Sequence, residues 1–300
     1  MYFPSACVHV TRNGGDVVDF LRGEARGAKN RQQRPMDVLR LEMCLEKLPP
    51  VEAIRNAMKR RSDDDPSEKD KLKHFLREID PLCEPLLRWL CATNRAFLRR
   101  LEAPQICQAV PSRNQFVFQM SSPEREARWL ELAHRHKKVA YAWHGSSLPN
   151  WHNILRVGLK NFSNTKYMQN GAAHGAGIYF APLSGFGISV GYSGAGGQMP
   201  VLNRRQGNNS DAAYNAATPY WTNSSFGESY ALIALCQIVD DKTSWVTRND
   251  FCYVVTDEEL VICRFLFVLH GIQSNVDPCA VKKWADETFP LPAGVESTYT

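Results

Sequence analysis

The order of hydrophobic patterning constrains the fold of this chain more than any other feature. Up to about residue 103 the apolar residues recur at helical spacing. Beyond it they gather into short continuous runs bounded by turn residues. Val51, Ile54 and Met58 share one helical face and follow Pro49 and Pro50, which set a helix start. The stretch from Ser62 to Ser67, three aspartates and a proline among its residues, breaks that helix. A second helix is expected from about Ser67 to Ile79, ended by Pro81. Pro85 opens a third, with Leu86, Leu87, Leu90 and Phe97 as its apolar face. Phe116 to Phe118 then reads as a strand. Ser121-Ser122-Pro123 starts a helix through Trp129 and Leu132. Strands are expected at Val139 to Trp143, Ile178 to Phe180, Ala231 to Val239, Phe251 to Val255 and Val261 to Leu269. Asn150 is expected to cap a short helix, Trp151 to Arg156, that Gly158 ends. Helices first and strands later, without regular βα alternation, give an α+β fold rather than a doubly wound parallel sheet.

Charge and cysteine usage exclude several functions. The net charge of +5 is scattered, and its densest piece, Lys59-Arg60-Arg61, is followed almost at once by Asp63-Asp64-Asp65. A nucleic-acid platform needs a sustained basic stripe, so nucleic acid is not an expected partner. The nine cysteines are odd in number and include no C-x-x-C pair, and Cys236 and Cys263 sit inside apolar runs. That argues against a disulfide framework or a zinc knuckle, and for the cytosol or nucleus as a reducing compartment. The histidines at 134, 136, 144, 152 and 174 make no zinc set with paired cysteines, so no metal is expected. The first residues lack the basic and apolar regions of a secretory signal, and no apolar run approaches a membrane span. Two polar stretches, Arg22 to Gly27 and the Gly-, Asn- and Ser-rich 194–227, read as a loop and a surface insertion.

Three short patterns carry chemistry. His144-Gly145-Ser146 closes an apolar strand, so the imidazole sits where the chain leaves the core, and the glycine admits a close approach to the main chain. An ordinary turn would look the same. Gly175-Ala176-Gly177 precedes the strand bearing Tyr179, the reverse of the strand-glycine-helix order of a dinucleotide loop. These glycines instead let the chain turn tightly into the strand, and a half-buried strand tyrosine is commonplace. Ser189 and Tyr192, three apart, could hold a flat heterocyclic amide by hydrogen bond and stacking, although a loop with a surface tyrosine fits those residues equally.

Taken in order, these pieces resemble the catalytic domain of the poly(ADP-ribose) polymerase family, whose fold is shared with diphtheria toxin. The resemblance runs from about residue 85 to 270. It rests on PLLRWLCATNR (85 to 95), QFVFQMSSPEREAR (115 to 128), AWHGSSLPNWHNILRVGLKN (142 to 161), HGAGIYFAPLS (174 to 184), SVGYSG (189 to 194), IALCQIV (233 to 239) and CRFLFV (263 to 268). It is nearest to the mono-ADP-ribosylating branch that lacks the catalytic glutamate. The resemblance implies a mostly antiparallel, split β-sheet, a catalytic domain over 81–300 and an N-terminal region of unknown role over 1–80. It also implies NAD⁺ as co-substrate and proteins, including the chain itself, as acceptors. His144 matches the histidine that binds an NAD⁺ ribose, and Gly145 the glycine whose backbone pairs with the nicotinamide amide. Ser146 and Asn150 match polar residues near the adenosine side. Tyr179 matches the residue packed beside nicotinamide and its ribose. Ser189 and Tyr192 match the amide-binding hydroxyl and the stacking tyrosine, with two extra residues within Gly185 to Ile188 before them. Aligning CRFLFV puts Phe265 where polymer-building members carry glutamate, and phenylalanine can accept neither a proton nor a hydrogen bond. Single additions are therefore expected. Glu258 and Glu259 lie upstream, in an expected turn. The competing reading is an inactive module that holds NAD⁺ or ADP-ribose. A scaffold built on the helical N-terminus would leave the clustered polar residues unexplained.

Overall fold

The computed structural model describes residues 38–59, 68–110, 112–146, 148–165, 173–192, 230–272 and 276–298. Four helices come first: α1 (Val38–Lys47), α2 (Val51–Lys59), α3 (Glu68–Ile79) and α4 (Cys83–Thr93). The apolar faces of α1, α3 and α4 meet in a core of their own, with Cys44, Leu45, Leu48, Leu76, Cys83, Leu86 and Leu90 buried together. There the helical spacing read from the sequence is spent on helix-to-helix packing, whereas α2 lies beside α3 with Val51 and Met58 exposed.

The rest of the chain is built on one nine-stranded sheet. Its strands are β1 (Phe97–Leu101), β2 (Ser112–Ser121), β3 (Lys138–Gly145), β4 (Ile178–Pro182), β5 (Ala231–Val239), β6 (Trp245–Arg248), β7 (Tyr253–Val255), β8 (Val261–Ile272) and β9 (Glu296–Thr298). The order is β1-β2-β8-β5-β3-β4-β7-β6, with β9 added along β3. Every pair is antiparallel except β3 with β9. The fold is therefore α+β and mostly antiparallel, as the sequence suggested. The sheet is nearly split: β3 and β4 pair only at Ala142–Pro182 and Trp143–Ala181.

Both faces of the sheet are covered, which explains why β5 has no polar face; every one of its residues is buried. On one face lie α5 (Pro123–His136), through Trp129 and Leu132, and α6 (Leu148–Val157), through Trp151, Ile154 and Leu155. On the other lie α7 (Phe186–Tyr192), through Phe186 and Val190, and α8 (Pro278–Thr288), through Val281 and Ala285.

Several local expectations change. Phe97 does not extend α4. That helix stops at Asn94, whose side chain accepts the Ala96 N–H at 3.1 Å, and the chain becomes β1 by pairing with β2. Phe97 is consequently 69% exposed. α6 begins at Leu148, three residues earlier than expected, so Asn150 lies in its first turn rather than at its cap; Gly158, at φ +77°, does follow its end. Ser189 and Tyr192 belong to a helix, not a loop. α8 was not foreseen, although its signal is local: Asp277 accepts the N–H groups of Cys279 and Ala280, and Pro278 occupies the first turn. β6 and β9 were not foreseen either. The stretches from Arg22 to Gly27 and over 194–227 lie outside the described residues.

Candidate active site

The site grows from the place where the sheet divides. After the Trp143–Ala181 pair, β3 reaches β4 by a side chain instead of by its backbone. His144 Nδ1 lies 2.9 Å from the carbonyl oxygen of Tyr179. A carbonyl can only accept, so Nδ1 carries the proton and donates, leaving Nε2 as an acceptor. The ring also packs 5.5 Å from Phe180. Although an edge of the residue reaches the surface, the ring is crowded by protein atoms, and this burial pushes its pKa down to about 4. At neutral pH the imidazole is uncharged, with one fixed tautomer.

Gly145 ends β3 against α7. A Cβ there would stand 1.8 Å from the carbonyl oxygen of Ser189, so no other residue lets the helix come this close. The contact brings Gly145 and Ser189 together, and Ser189 is buried. Tyr192 is the last residue of α7; its side chain lies outside the described residues. The two extra residues counted before Ser189 fall where a 3₁₀ turn (Leu183–Gly185) runs into α7.

Tyr179 sits on β4 with its hydroxyl already committed. It donates to the Gly175 carbonyl at 2.7 Å and accepts the His174 N–H at 3.0 Å. Its hydroxyl thus braces the glycine-bearing turn. Ser163 clamps the same turn from outside, its Oγ accepting the Gly177 N–H at 2.8 Å. Nothing local in the sequence announces Ser163, because the contact spans fourteen residues.

Ser146 and Asn150 pair with each other, Asn150 Nδ2 donating to Ser146 Oγ at 2.9 Å. The Ser146 carbonyl takes the indole N–H of Trp151 at 2.9 Å. Both polar residues therefore shape the turn between β3 and α6, directly after His144.

Phe265 does not join this group. In the sheet it pairs with Leu235, which in turn pairs with Trp143. Two strands, β5 and β3, therefore stand between Phe265 and β4. At strand spacings of about 4.8 Å that is roughly 14 Å. Phe265 is wholly buried, its ring 4.5 Å from that of Trp284 on α8. A residue at this position meets the core and not the site, which corrects its assignment as the place of the missing glutamate. The late strand that borders Tyr179 is β7, where Val254 pairs with Tyr179 and Tyr253 with Phe180. Cys252, just before it, is buried, and burial raises its thiol pKa. Glu258 and Glu259 lie in a 3₁₀ turn (Glu258–Leu260) and are engaged elsewhere, Glu258 with Lys160 and the Asn161 N–H, Glu259 with Arg128. Among the described residues no group of three His, Cys, Asp or Glu is placed to hold a metal ion, and no helix is long and apolar enough to cross a membrane.

The poly(ADP-ribose) polymerase catalytic domain matches residues 103–204. Over 202 residues, 66% of this chain, the sequence is 32% identical to protein mono-ADP-ribosyltransferase PARP8 of Mus musculus, and equally so to that of Homo sapiens. The match spans only 23% of the length of these relatives.

Proposed function

The chain carries a catalytic domain of the poly(ADP-ribose) polymerase family, and from that premise we propose that it transfers ADP-ribose from NAD⁺ to protein side chains, one unit at a time, with release of nicotinamide. The observation that carries the reading is the His144 imidazole, neutral, locked in one tautomer and offering a bare Nε2 beside Gly145. That set suits NAD⁺, an uncharged carboxamide next to a ribose diol. Nε2 accepts a hydrogen bond from a ribose hydroxyl. The Gly145 main chain offers an N–H and a carbonyl to the carboxamide, with the Ser189 hydroxyl as a further partner and the Tyr179 ring as a wall. NAD⁺, as substrate, supplies the ADP-ribose and the nicotinamide leaving group. The protein contributes position and preorganised hydrogen bonds more than acid or base. In the transfer, a bond forms from the acceptor's nucleophilic atom to the anomeric carbon while the bond to the nicotinamide nitrogen breaks. Nicotinamide leaves with the electron pair, and an ionised acceptor has no proton left to lose. The scheme uses no metal ion.

Restriction to single additions rests on β7 rather than on Phe265. Cys252, Tyr253, Val254 and Val255 offer no carboxylate to activate a second ribose. We place the transferase unit at 81–300, after an N-terminal region over 1–80, and the cytosol or nucleus as the site of action, from the odd number of cysteines and the lack of a C-x-x-C pair. The same lack of an acid favours the second reading, a module that holds NAD⁺ or ADP-ribose without turnover. Intact mass after incubation with NAD⁺ and a cell lysate separates the two. Transfer predicts adducts of one ADP-ribose, lost in His144→Ala and reduced at least tenfold in Tyr179→Ala. Absence of any adduct, with NAD⁺ binding retained by calorimetry, leaves only the binding module.

A further inference from the structure

We propose that Cys263 and Cys236 form a reversible oxidation site, at which a small peroxide links β8 to β5 by a disulfide. The inference goes beyond the transferase reading and does not depend on it. The two residues are direct cross-strand partners, and their Sγ atoms lie 3.6 Å apart. A disulfide holds its sulfurs at about 2.0 Å, so an approach of roughly 1.5 Å closes the bond. The ladder yields most easily at this point, because the pairing of β5 with β8 shifts between Leu235 and Cys236.

The pair is asymmetric, and the asymmetry divides the work. Cys236 is wholly buried, whereas Cys263 keeps 8% of its surface and lines a cleft with Ser121, Ser122, Arg125 and Leu159. The cleft has about 20 Å³ of free room, space for a molecule the size of water. Hydrogen peroxide is an oxidant of that scale, and oxidised glutathione is far larger. Positive charge stands close by: Arg125 lines the same cleft and donates to the Val261 carbonyl at 3.3 Å, two residues before Cys263. A neighbouring cation favours the thiolate, the form that attacks a peroxide. Burial, and then the contact with Cys263, raises the Cys236 thiol pKa well above its ordinary value, so Cys236 keeps its proton. Cys44 and Cys83 bring their Sγ atoms to 3.9 Å, yet both are wholly buried, which makes them a control for proximity without access.

In the first step the Cys263 thiolate attacks one peroxide oxygen and the O–O bond breaks. The hydroxide that leaves takes up the proton the thiol had lost, giving one water and a sulfenic acid on Cys263. In the second step the Cys236 sulfur attacks the Cys263 sulfur and the S–O bond breaks. The departing hydroxyl takes the Cys236 proton as a second water, and the disulfide remains. Two thiols have lost two electrons, and one peroxide has become two waters. A dithiol reductant returns the pair by exchange. The bond joins two strands in the middle of the sheet. On β5, Ala234 and Ile233 are the backbone partners of His144 and Gly145, so the clamp acts on the strand that backs the candidate site.

The test treats the reduced full chain with hydrogen peroxide, quenches in acid, unfolds it, blocks remaining thiols with N-ethylmaleimide and maps its peptides without reduction. The expected result is a linked Cys236–Cys263 peptide that dithiothreitol removes, formed about tenfold faster than any Cys44–Cys83 link. In Cys236→Ala nothing resolves the sulfenic acid, so Cys263 is carried on to the sulfinic acid about tenfold more than in the wild type. Oxidised glutathione in place of peroxide gives no link. These readouts use no NAD⁺, so they hold whether or not the chain transfers ADP-ribose. Recovery of Cys236 and Cys263 as maleimide adducts, under treatment that oxidises the exposed Cys91 and Cys279, overturns the inference. So does Cys263 sulfinic acid without the link in the wild type, or a link formed as readily with oxidised glutathione. Should Cys236→Ala fail to fold, the wild-type map decides alone.

Discussion

The imidazole of His144 illustrates how one residue is set by its surroundings. Above pH 6.5 the ring is uncharged both in the folded chain and free in water. Between 6.5 and about 4 the unfolded chain takes up a proton that the folded chain refuses, because burial holds the folded pKa at about 4. The folded state thus loses stability as pH falls through that window and gains none from His144 above it. Urea unfolding should show the wild type losing about 2 kcal/mol more than His144→Gln between pH 7 and 4.5. Parallel losses in the two proteins would mean that the ring is not excluded from solvent as described. Nearby, Gly145 shows why residue type alone was informative: the sequence offered a glycine at a strand end, and its reason is the Ser189 carbonyl that no Cβ can face. Phe265 shows the opposite. Its place in a motif suggested a role in chemistry, while pairing placed it two strands away, beneath Trp284.

Elements are joined by a buried polar chain that no periodicity announces. Arg264, in the middle of β8, is wholly buried. Its Nη1 and Nη2 each lie 2.9 Å from the Glu126 carboxylate of α5, and its Nε donates to Gln237 of β5 at 2.8 Å. Its guanidinium stacks 4.0 Å over the ring of Phe289, just beyond α8. Gln237 passes a hydrogen bond to Tyr141 of β3, and Tyr141 donates to Asp286 of α8, which also receives Lys282 and Ser297. Burial pushes the Tyr141 phenol well above its ordinary range, so it stays a donor. The chain fastens α5, α8 and β9 to β3, the strand that carries His144. Removing the counter-charge strands a buried cation, so Glu126→Ala should cost about 3 kcal/mol in urea unfolding. The pair Glu126→Leu with Arg264→Met should recover most of that loss, because two apolar residues need no partner. A cost below about 1 kcal/mol for the single variant would place the guanidinium in contact with water.

Across the whole molecule, two packed faces of one sheet and a separate helical core divide the work. β5 and β8 lie in the middle of the sheet, covered on both sides, whereas the helices α1, α3 and α4 bury their apolar faces mainly in one another, with Trp89 of α4 stacked on His152 of α6. Native-state hydrogen exchange should therefore find the slowest amides in β5, β8 and β3, with α1 to α4 opening at lower free energy. Equal protection throughout would make the helical core and the sheet one cooperative unit. By itself the sequence determined the class of the fold, the extent of β5, the starts of α2 and α5 and the end of α3, and it offered His144, Gly145 and Tyr179 as candidates. These are written in local spacing, in turn residues and in side-chain chemistry, which act over a few residues. Tertiary structure alone decided which strand borders Tyr179, where Phe265 points and what Arg264 binds. It also set Cys236 against Cys263. Each of these depends on strand order and register, and an antiparallel sheet assembled from segments tens of residues apart leaves that order unrecorded in any local pattern.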